Sequence, residues 1–103
     1  MNKNIIIQDL SHLNHKYSKI GFQFISLFGS YANDTADKYS DIDLTYKINH
    51  NLFYKDDAFA KLQKIEDIKN ELEKQFHKKI DLIPSNSKNI FIQENLLKEQ
   101  IFI

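Results

Sequence analysis

Hydrophobic positions in the first third of the chain change their spacing at Gly21, and the change predicts a helix followed by a strand. Before this glycine, apolar residues three or four positions apart predict a helix over residues 4–20 that ends at a left-handed residue. After it, an almost unbroken apolar run from Phe22 to Phe28 indicates a strand buried on both faces. The apolar positions of the helix are Ile6, Leu10, Leu13, Tyr17 and Ile20.

The middle of the chain predicts a turn and a second strand. Residues 30–39 are small and polar, which favours one helical turn followed by a loop. From Asp41 to Ile48 apolar and polar side chains alternate, which is the spacing of a strand with one buried and one polar face. One face would carry Ile42, Leu44, Tyr46 and Ile48, and the other Asp41, Asp43, Thr45 and Lys47.

A long charged segment with one apolar side predicts a second helix, from about residue 57 to residue 76. Asp56 or Asp57 is placed to cap its start. The apolar side of this predicted helix consists of Phe59, Leu62, Ile65, Leu72 and Phe76.

The C-terminal part predicts short elements. A strand spans Lys79 to Ile83 and is stopped by Pro84. Ser85 or Ser87 is placed to cap a last helix that runs through Leu97.

The order of these elements predicts the class of fold. It reads helix, strand, strand, helix, strand, helix, and residues 101–103 would add a terminal edge strand. An α+β fold in two layers, with a small mixed sheet packed against helices, accommodates this order. No repeat, low-complexity tract or linker interrupts it, so we expect a single domain over residues 1–103.

Composition restricts the function. The chain has no cysteine, and so no thiolate metal site, and it has no apolar run long enough to cross a bilayer, so we expect a cytoplasmic protein. Its 14 basic residues balance 14 acidic ones, and every basic residue is a lysine. Domains that bind nucleic acid directly usually carry excess positive charge and use arginine, so this composition argues against such binding. A phosphate group must therefore be held by metal, backbone amides or lysine.

The stretch from Gly29 to Leu44 carries the candidate chemistry. A strand ends at Gly29 and a turn or helix begins at Ser30, where backbone amides and a hydroxyl can bind an anion. Asp41 and Asp43 project from one face of a strand, with Cα atoms about 6 to 7 Å apart. Two such carboxylates repel unless a cation lies between them, and oxygen-only ligands suit Mg²⁺.

Asp81 is a third candidate ligand, because it interrupts an otherwise apolar strand where an unpaired carboxylate is costly. If its strand neighbours that of Asp41, three acids converge. Two metal ions there would hold a triphosphate during transfer of a nucleoside monophosphate, with pyrophosphate as leaving group. Asp41 and Asp43 would bind both ions, while Asp81 would bind one and help to take the proton from the incoming hydroxyl. Acids on a solvated strand face are the competing interpretation.

These residues resemble a family signature. Gly29-Ser30, ten intervening residues and then Asp41-Ile42-Asp43-Leu44 resemble the pattern of the polymerase-β-like nucleotidyltransferases, and the short length resembles their minimal branch. The resemblance implies the polymerase-β-like fold, a nucleotide site at Gly29, Ser30 and Asn33, and catalysis by the three aspartates with ATP and two Mg²⁺ ions.

The minimal branch also implies a partner. Its members are typically encoded beside a HEPN-domain toxin, a ribonuclease, and several act as antitoxins by adding AMP to a tyrosine of that toxin. The resemblance therefore implies an antitoxin that forms a hetero-oligomer with a HEPN toxin, without direct binding to nucleic acid or membrane.

The chain departs from the family pattern at two positions. Family members commonly carry Ala-Arg-Gly where this chain has Ala32-Asn33-Asp34, so a positive charge is lost and a negative one gained near the expected triphosphate. Asn33 keeps hydrogen-bond donors, and Lys38 is a nearby cation in the sequence. Two alternatives stay open: an antitoxin that acts by binding alone, and a small-molecule nucleotidyltransferase of the aminoglycoside-modifying type. The latter usually needs an added helical domain for its acceptor, which the expected single domain does not include.

Overall fold

A computed structural model describes residues 2–49, 53, 58–87, 89, 93–94 and 100–103. Helix α1 spans Lys3–Tyr17 and continues into a 3₁₀ turn, Ser18–Ile20. The other elements are strand β1 (Phe22–Phe28), strand β2 (Ile42–Ile48), helix α2 (Ala58–Phe76), strand β3 (Ile80–Pro84) and strand β4 (Ile101–Phe102).

The four strands form one mixed sheet in the order β3-β2-β1-β4. Strand β1 is antiparallel to both β2 and β4, whereas β2 and β3 are parallel. One face of the sheet packs against α1 and α2 in a single hydrophobic core. The predicted small mixed sheet against helices is therefore confirmed, as is the terminal strand. None of the described helices is long and apolar enough to span a membrane.

Helix α1 agrees with its prediction except at its C-terminal end. The Asn2 side chain accepts a hydrogen bond from the Ile5 amide at the N-terminus, and Gly21 has a left-handed φ of 87° at the other end. The predicted core position Ile20 is instead 40% exposed. The reason is that the last turn is a 3₁₀ turn, with three residues per turn, which rotates Ile20 away from the other apolar positions of the helix.

The sequence places apolar residues on one side of α2 along its whole length, but the apolar residues of its first turns are not buried. Phe59 and Leu62 are 83% and 63% exposed. The buried residues Ile68, Leu72 and Phe76 all lie in the C-terminal half, and Ile65 before them is partly buried against the core. Packing against the core therefore begins after the first turns of the helix.

The other predicted features concern the end of β3 and segments outside the described residues. Pro84 is the last residue of β3 rather than the residue after it, which is tolerated because β3 lies at an edge of the described sheet. The proposed capping residues Asp56 and Asp57 lie outside the described residues. The same is true of most of the predicted last helix, of which residues 93 and 94 are described and helical.

A β-bulge in β1 determines which side chains face the core. Phe24 pairs with Tyr46, but Ser26 pairs with Thr45, so Ile25 is the extra residue. A bulge exchanges the two faces of the strand beyond it. Phe22, Phe24 and Leu27 consequently point into the core, whereas Ser26 and Phe28 point to the opposite face. The prediction of a strand buried on both faces holds only after the bulge, since Gln23 is exposed.

Asn14 of α1 supports β1 next to this bulge. Its side-chain amide donates to the Phe24 carbonyl at 3.0 Å, and its side-chain oxygen accepts from the Phe24 amide at 2.7 Å. Strand β4 pairs with Ser26 and Leu27 of β1, and the Ile103 amide donates to the Ile25 carbonyl, so Phe24 lies beyond the end of these contacts. The asparagine thus replaces a neighbouring strand at that position.

Replacing Asn14 by alanine should lower the free energy of unfolding by about 2 kcal/mol, because a part-buried amide and carbonyl lose their partners. Urea denaturation provides the measurement. Asn4→Ala, at an exposed position of the same helix, is the matched control and should be neutral or stabilising by about 0.5 kcal/mol through helix propensity. Equal effects of the two substitutions would contradict the role of Asn14 as the hydrogen-bonding partner of Phe24.

Candidate active site

Parallel pairing of β2 with β3 places two acids side by side. Asp43 is the Cα partner of Asp81, and their neighbours Ile42 and Ile80 are paired in the same way. The two isoleucines are fully buried in the core, so the two aspartates, one position further along each strand, lie on the other face of the sheet. The condition set by the sequence, that the strand of Asp81 should neighbour the strand of the other acids, is met.

The turn after β1 comes into close contact with the same acids. Phe28 pairs with Asp43, so the residue that follows it lies against the Asp43 side chain. That residue is Gly29, with a left-handed φ of 73°. A Cβ at this position would lie 2.3 Å from Asp43 Oδ2, much closer than atoms can approach. Glycine is therefore required here both by the backbone conformation and by the carboxylate beside it.

The electrostatic environment of Asp43 favours its neutral form. Burial, followed by the charge of Asp81, a hydrogen bond with Asp81 and the charge of Asp41, raises the pKa of Asp43 to about 6. These causes identify Asp43 as the centre of the acidic group. Its negative charge is not compensated by the protein, which is the condition in which a cation binds favourably.

Two buried hydroxyl groups lie next to Asp43 on the same face of the sheet. Ser26 and Thr45 pair across β1 and β2, and their side-chain oxygens are 2.6 Å apart. Both residues are almost fully buried, at 0% and 1% exposure, and their hydroxyl groups share one hydrogen bond. Thr45 lies on the face of Asp43 by alternation along β2, and the bulge at Ile25 brings Ser26 to the same face.

The segment after Gly29 forms a single turn rather than a helix. The amides of Ala32 and Asn33 both donate to the Gly29 carbonyl at 3.1 Å. No acceptor in the described part of the chain bonds the amides of Ser30 and Tyr31. These two amides and the half-buried Ser30 side chain are therefore the groups of this turn that can meet an anion.

The two residues that depart from the family pattern interact within the loop and with α1. The side-chain oxygen of Asn33 accepts hydrogen bonds from the Thr35 amide at 3.2 Å and from the Thr35 hydroxyl. Asp34 has a left-handed φ of 63°, a conformation that favours glycine, and its carboxylate lies 2.8 Å from Lys3 Nζ. Lys38 Nζ lies over the Tyr39 ring, 5.0 Å from its centre.

The acids offer a hard, oxygen-only ligand set, which suits Mg²⁺. Asp43 and Asp81 are adjacent, while Asp41 lies before the first residue of β2 and acts on Asp43 through its charge. Within the described residues, no three His, Asp or Glu side chains are arranged closely enough to hold a metal ion as they stand. The pair therefore fits one cation directly, and Asp41 would have to turn towards it to complete the predicted set.

Sequence reasoning missed the lysines that hold the loop between β1 and β2. Lys3 contacts Asp34, 31 residues away, and Lys78 contacts the Lys38 carbonyl, 40 residues away. No local pattern indicates contacts across such separations. The charge of each lysine was its only signal in the sequence.

A mixed sheet with a glycine-serine turn beside paired strand acids is an architecture of nucleotidyltransferases. A family model described as polymerase beta, nucleotidyltransferase, matches residues 8–103. The chain belongs to this polymerase beta nucleotidyltransferase family, and its kind is that of a transferase. A search of the curated proteins finds no match.

Two solved structures share the fold. A structure of a minimal nucleotidyltransferase is 20% identical with a TM-score of 0.70, and the match covers 98% of this chain and 95% of that chain. A crystal structure of a toxin-antitoxin with AMP-PNP is 21% identical with a TM-score of 0.59, and the match covers 99% of this chain and 72% of that one. At these identities the likeness establishes the polymerase-β-like fold alone.

Substituting Gly29 by alanine should displace the Asp43 carboxylate, because the new methyl group and the carboxylate cannot occupy the same space. The substitution should destabilise the protein by about 2–3 kcal/mol and move the apparent pKa of Asp43 away from about 6. Urea denaturation and an NMR titration of the carboxyl carbon provide the two measurements.

Gly21→Ala is the matched control, since Gly21 also has a positive φ, of 87°, but follows the 3₁₀ turn. It should cost about 1–2 kcal/mol through backbone strain and leave the Asp43 titration unchanged. An unchanged Asp43 titration in Gly29→Ala would contradict the close contact.

Asp43→Asn should stabilise the metal-free protein at neutral pH. The pKa of Asp43 is raised in the folded state from 3.8 to about 6, so folding favours its protonated form. The stability that the protonated Asp43 carboxyl contributes to the folded protein is complete below pH 3.8 and is lost as the pH rises through about 6. At pH 7.5 in EDTA, the asparagine variant should gain about 1–2 kcal/mol over wild type, after allowance for solvent screening.

Urea denaturation at pH 7.5 and at pH 4 measures this difference, which should nearly vanish at the lower pH. Asp9→Asn, on α1, changes the same chemical group away from the acids and should show no such gain. A less stable Asp43→Asn protein at pH 7.5 would show that the charged form of Asp43 does not destabilise the fold.

Proposed function

We propose that this protein is the antitoxin of a toxin-antitoxin pair and transfers AMP from ATP to a tyrosine hydroxyl of a HEPN-domain toxin. The observation that carries the proposal is the in-register pairing of Asp43 with Asp81 beside the Gly29 turn. Paired acids on a sheet face, next to a turn with open amides, suit a nucleotide whose phosphates are bound through a cation.

In the proposed reaction, the tyrosine oxygen forms a bond with the α-phosphorus of ATP. The bond from that phosphorus to the oxygen bridging to the β-phosphate breaks, and pyrophosphate leaves. Asp81 accepts the proton of the tyrosine hydroxyl. The turn at Gly29 and Ser30 holds phosphate oxygens, with Asn33 beside it as a further nucleotide contact.

Asp41, Asp43 and Asp81 would hold two Mg²⁺ ions in this proposal. Bound magnesium would neutralise the triphosphate and stabilise the charge that develops on the attacking and leaving oxygens. The raised pKa of Asp43 supports a cation at this point, because a nearby positive charge offsets the burial and the repulsion that favour protonation.

The choice of a toxin as acceptor rests on two supports. One is the shared fold with the minimal nucleotidyltransferase structure, since the minimal branch of the family is associated with HEPN toxins. The other is the shared fold with the toxin-antitoxin crystal structure that contains AMP-PNP. Both partner and nucleotide are carried from these relatives to this chain as parts of the proposal.

A second candidate function is neutralisation of the toxin by binding alone. Two observations favour it. The Asn33 side-chain oxygen is engaged with Thr35, in the place where relatives supply a cation. Phe59 and Leu62 form an exposed apolar surface on α2. Exposed large hydrophobic side chains of this kind suit a protein partner.

One experiment separates these functions. The protein is incubated with α-labelled ATP, Mg²⁺ and the purified toxin encoded beside its gene, and label on the toxin is measured after denaturing electrophoresis. Wild type should label the toxin on a tyrosine. Asp41→Ala with Asp43→Ala should reduce the labelling rate by at least about 100-fold, because the metal ligands contribute several kcal/mol to the transition state.

The control removes the same two charges elsewhere, by Asp9→Ala with Glu66→Ala, and should leave labelling unchanged. A wild-type protein that binds the toxin without transferring label would disprove catalysis. If, in addition, the Asp41 and Asp43 double variant still protects cells from the toxin, binding is the function.

A further inference from the structure

Lys78, between α2 and β3, directs all of its described side-chain contacts to one segment of the chain. Its ammonium group donates to the Lys38 carbonyl at 2.6 Å and approaches the Asp37 carbonyl at 3.5 Å. It also lies over the Tyr31 ring, 5.8 Å from the ring centre. All three partners belong to residues 30–40, the loop that joins the Gly29 turn to Asp41.

The position of these contacts along the chain makes Lys78 important for Asp41. Asp41 precedes β2, so the strand pairing that fixes Asp43 does not extend to it. On its C-terminal side, the Ile42 amide donates to the Lys79 carbonyl at 3.0 Å. On its N-terminal side, the Lys38 carbonyl is held by the Lys78 side chain. Two consecutive lysines therefore hold the chain on both sides of Asp41, one through its side chain and one through its backbone.

The same loop is also held at its beginning. Lys3 of α1 forms an ion pair with Asp34 at 2.8 Å, and its side chain is 32% exposed. Near its end, the Asp37 carboxylate accepts from the Tyr39 amide at 2.8 Å, and the Asp37 amide donates to the Ser40 hydroxyl at 2.9 Å. The loop has internal order, and its buried residues Tyr31 and Ala32 belong to the hydrophobic core. Among the described residues, Lys3 and Lys78 supply the polar side-chain contacts that reach this loop from other parts of the chain.

A ligand site is the other function that these lysines suggest. They line a cavity of about 460 Å³ together with Asn2, Tyr31, Asp34, Ala36, Asp37 and Lys38. Each of the three lysines that line it already has a partner: Lys3 has Asp34, Lys38 has the Tyr39 ring and Lys78 has backbone carbonyls. Groups engaged in this way hold the protein together rather than offer free charge to an anion.

We infer that Lys78 is a positioning residue of the active site, which sets the place of Asp41 relative to Asp43 and Asp81 without touching the nucleotide. Lys3 supports it by holding Asp34 at the other end of the loop. This inference rests on the proposed function in one respect, namely that Asp41 takes part in transfer. Its structural part, the restraint of the loop by Lys78, stands independently.

Hydrogen exchange and transfer kinetics test the inference together. Lys78→Met keeps the length of the side chain and removes its donors. Amides of residues 38–42 should exchange about 10-fold faster in this variant, because a charged hydrogen bond to the loop is lost. The kcat for AMP transfer should fall about 10- to 100-fold, since small displacements of catalytic groups have effects of this size.

Two further variants make the result specific. Lys79→Met changes the exposed neighbouring lysine, whose backbone rather than side chain holds Ile42, and should resemble wild type in both measurements. Lys78→Arg retains donors that reach the same carbonyls and should restore most of the protection and most of the rate. A merely structural role would lower the melting temperature without confining faster exchange to the loop.

The outcomes separate the two levels of the proposal. Equal loop exchange in Lys78→Met and Lys79→Met would overturn the restraint by Lys78. Faster loop exchange with an unchanged kcat would overturn its positioning role. If wild type transfers no AMP, the proposed function fails, while the exchange measurement still decides whether Lys78 holds the loop.

Discussion

Parallel pairing of β2 with β3 keeps two carboxylates, Asp43 and Asp81, side by side in half-buried positions. Burial raises the pKa of Asp43, and repulsion by the charge of Asp81 beside it raises this pKa further. The pairing persists because the same register buries Ile42 and Ile80 on the opposite face. Hydrophobic burial on one face of the sheet thus maintains an unfavourable arrangement of charge on the other, as is common at functional sites.

The bulge at Ile25 gives this arrangement its third side. Without the extra residue, the second half of β1 would present the opposite set of side chains, and Leu27 would leave the core. With it, Phe28 pairs with Asp43 and the chain turns at Gly29, directly beside the Asp43 carboxylate. A single inserted residue therefore brings the turn and the acids to the same face.

The sequence predicted the elements that depend on local patterns. The alternation around β2 and the apolar run of β1 gave strands within one residue of their bounds, and the same alternation predicted that Asp41 and Asp43 share a face. It did not predict the bulge, because a continuous apolar run has no period that an inserted residue can disturb. The exposed start of α2 was missed for a related reason: periodicity shows which side of a helix is apolar, but not how far along it the sheet extends.

The two departures from the family pattern have different physical consequences. A glycine is usual where this chain has Asp34, and the structure retains a left-handed backbone there, at φ 63°. Aspartate is among the few residues that tolerate this conformation, and its carboxylate adds an ion pair with Lys3. The lost glycine is therefore compensated within the loop. The lost arginine is not, because Asn33 bonds Thr35 and is neutral. In the proposed reaction, the charge of the triphosphate would therefore fall more heavily on metal ions and backbone amides.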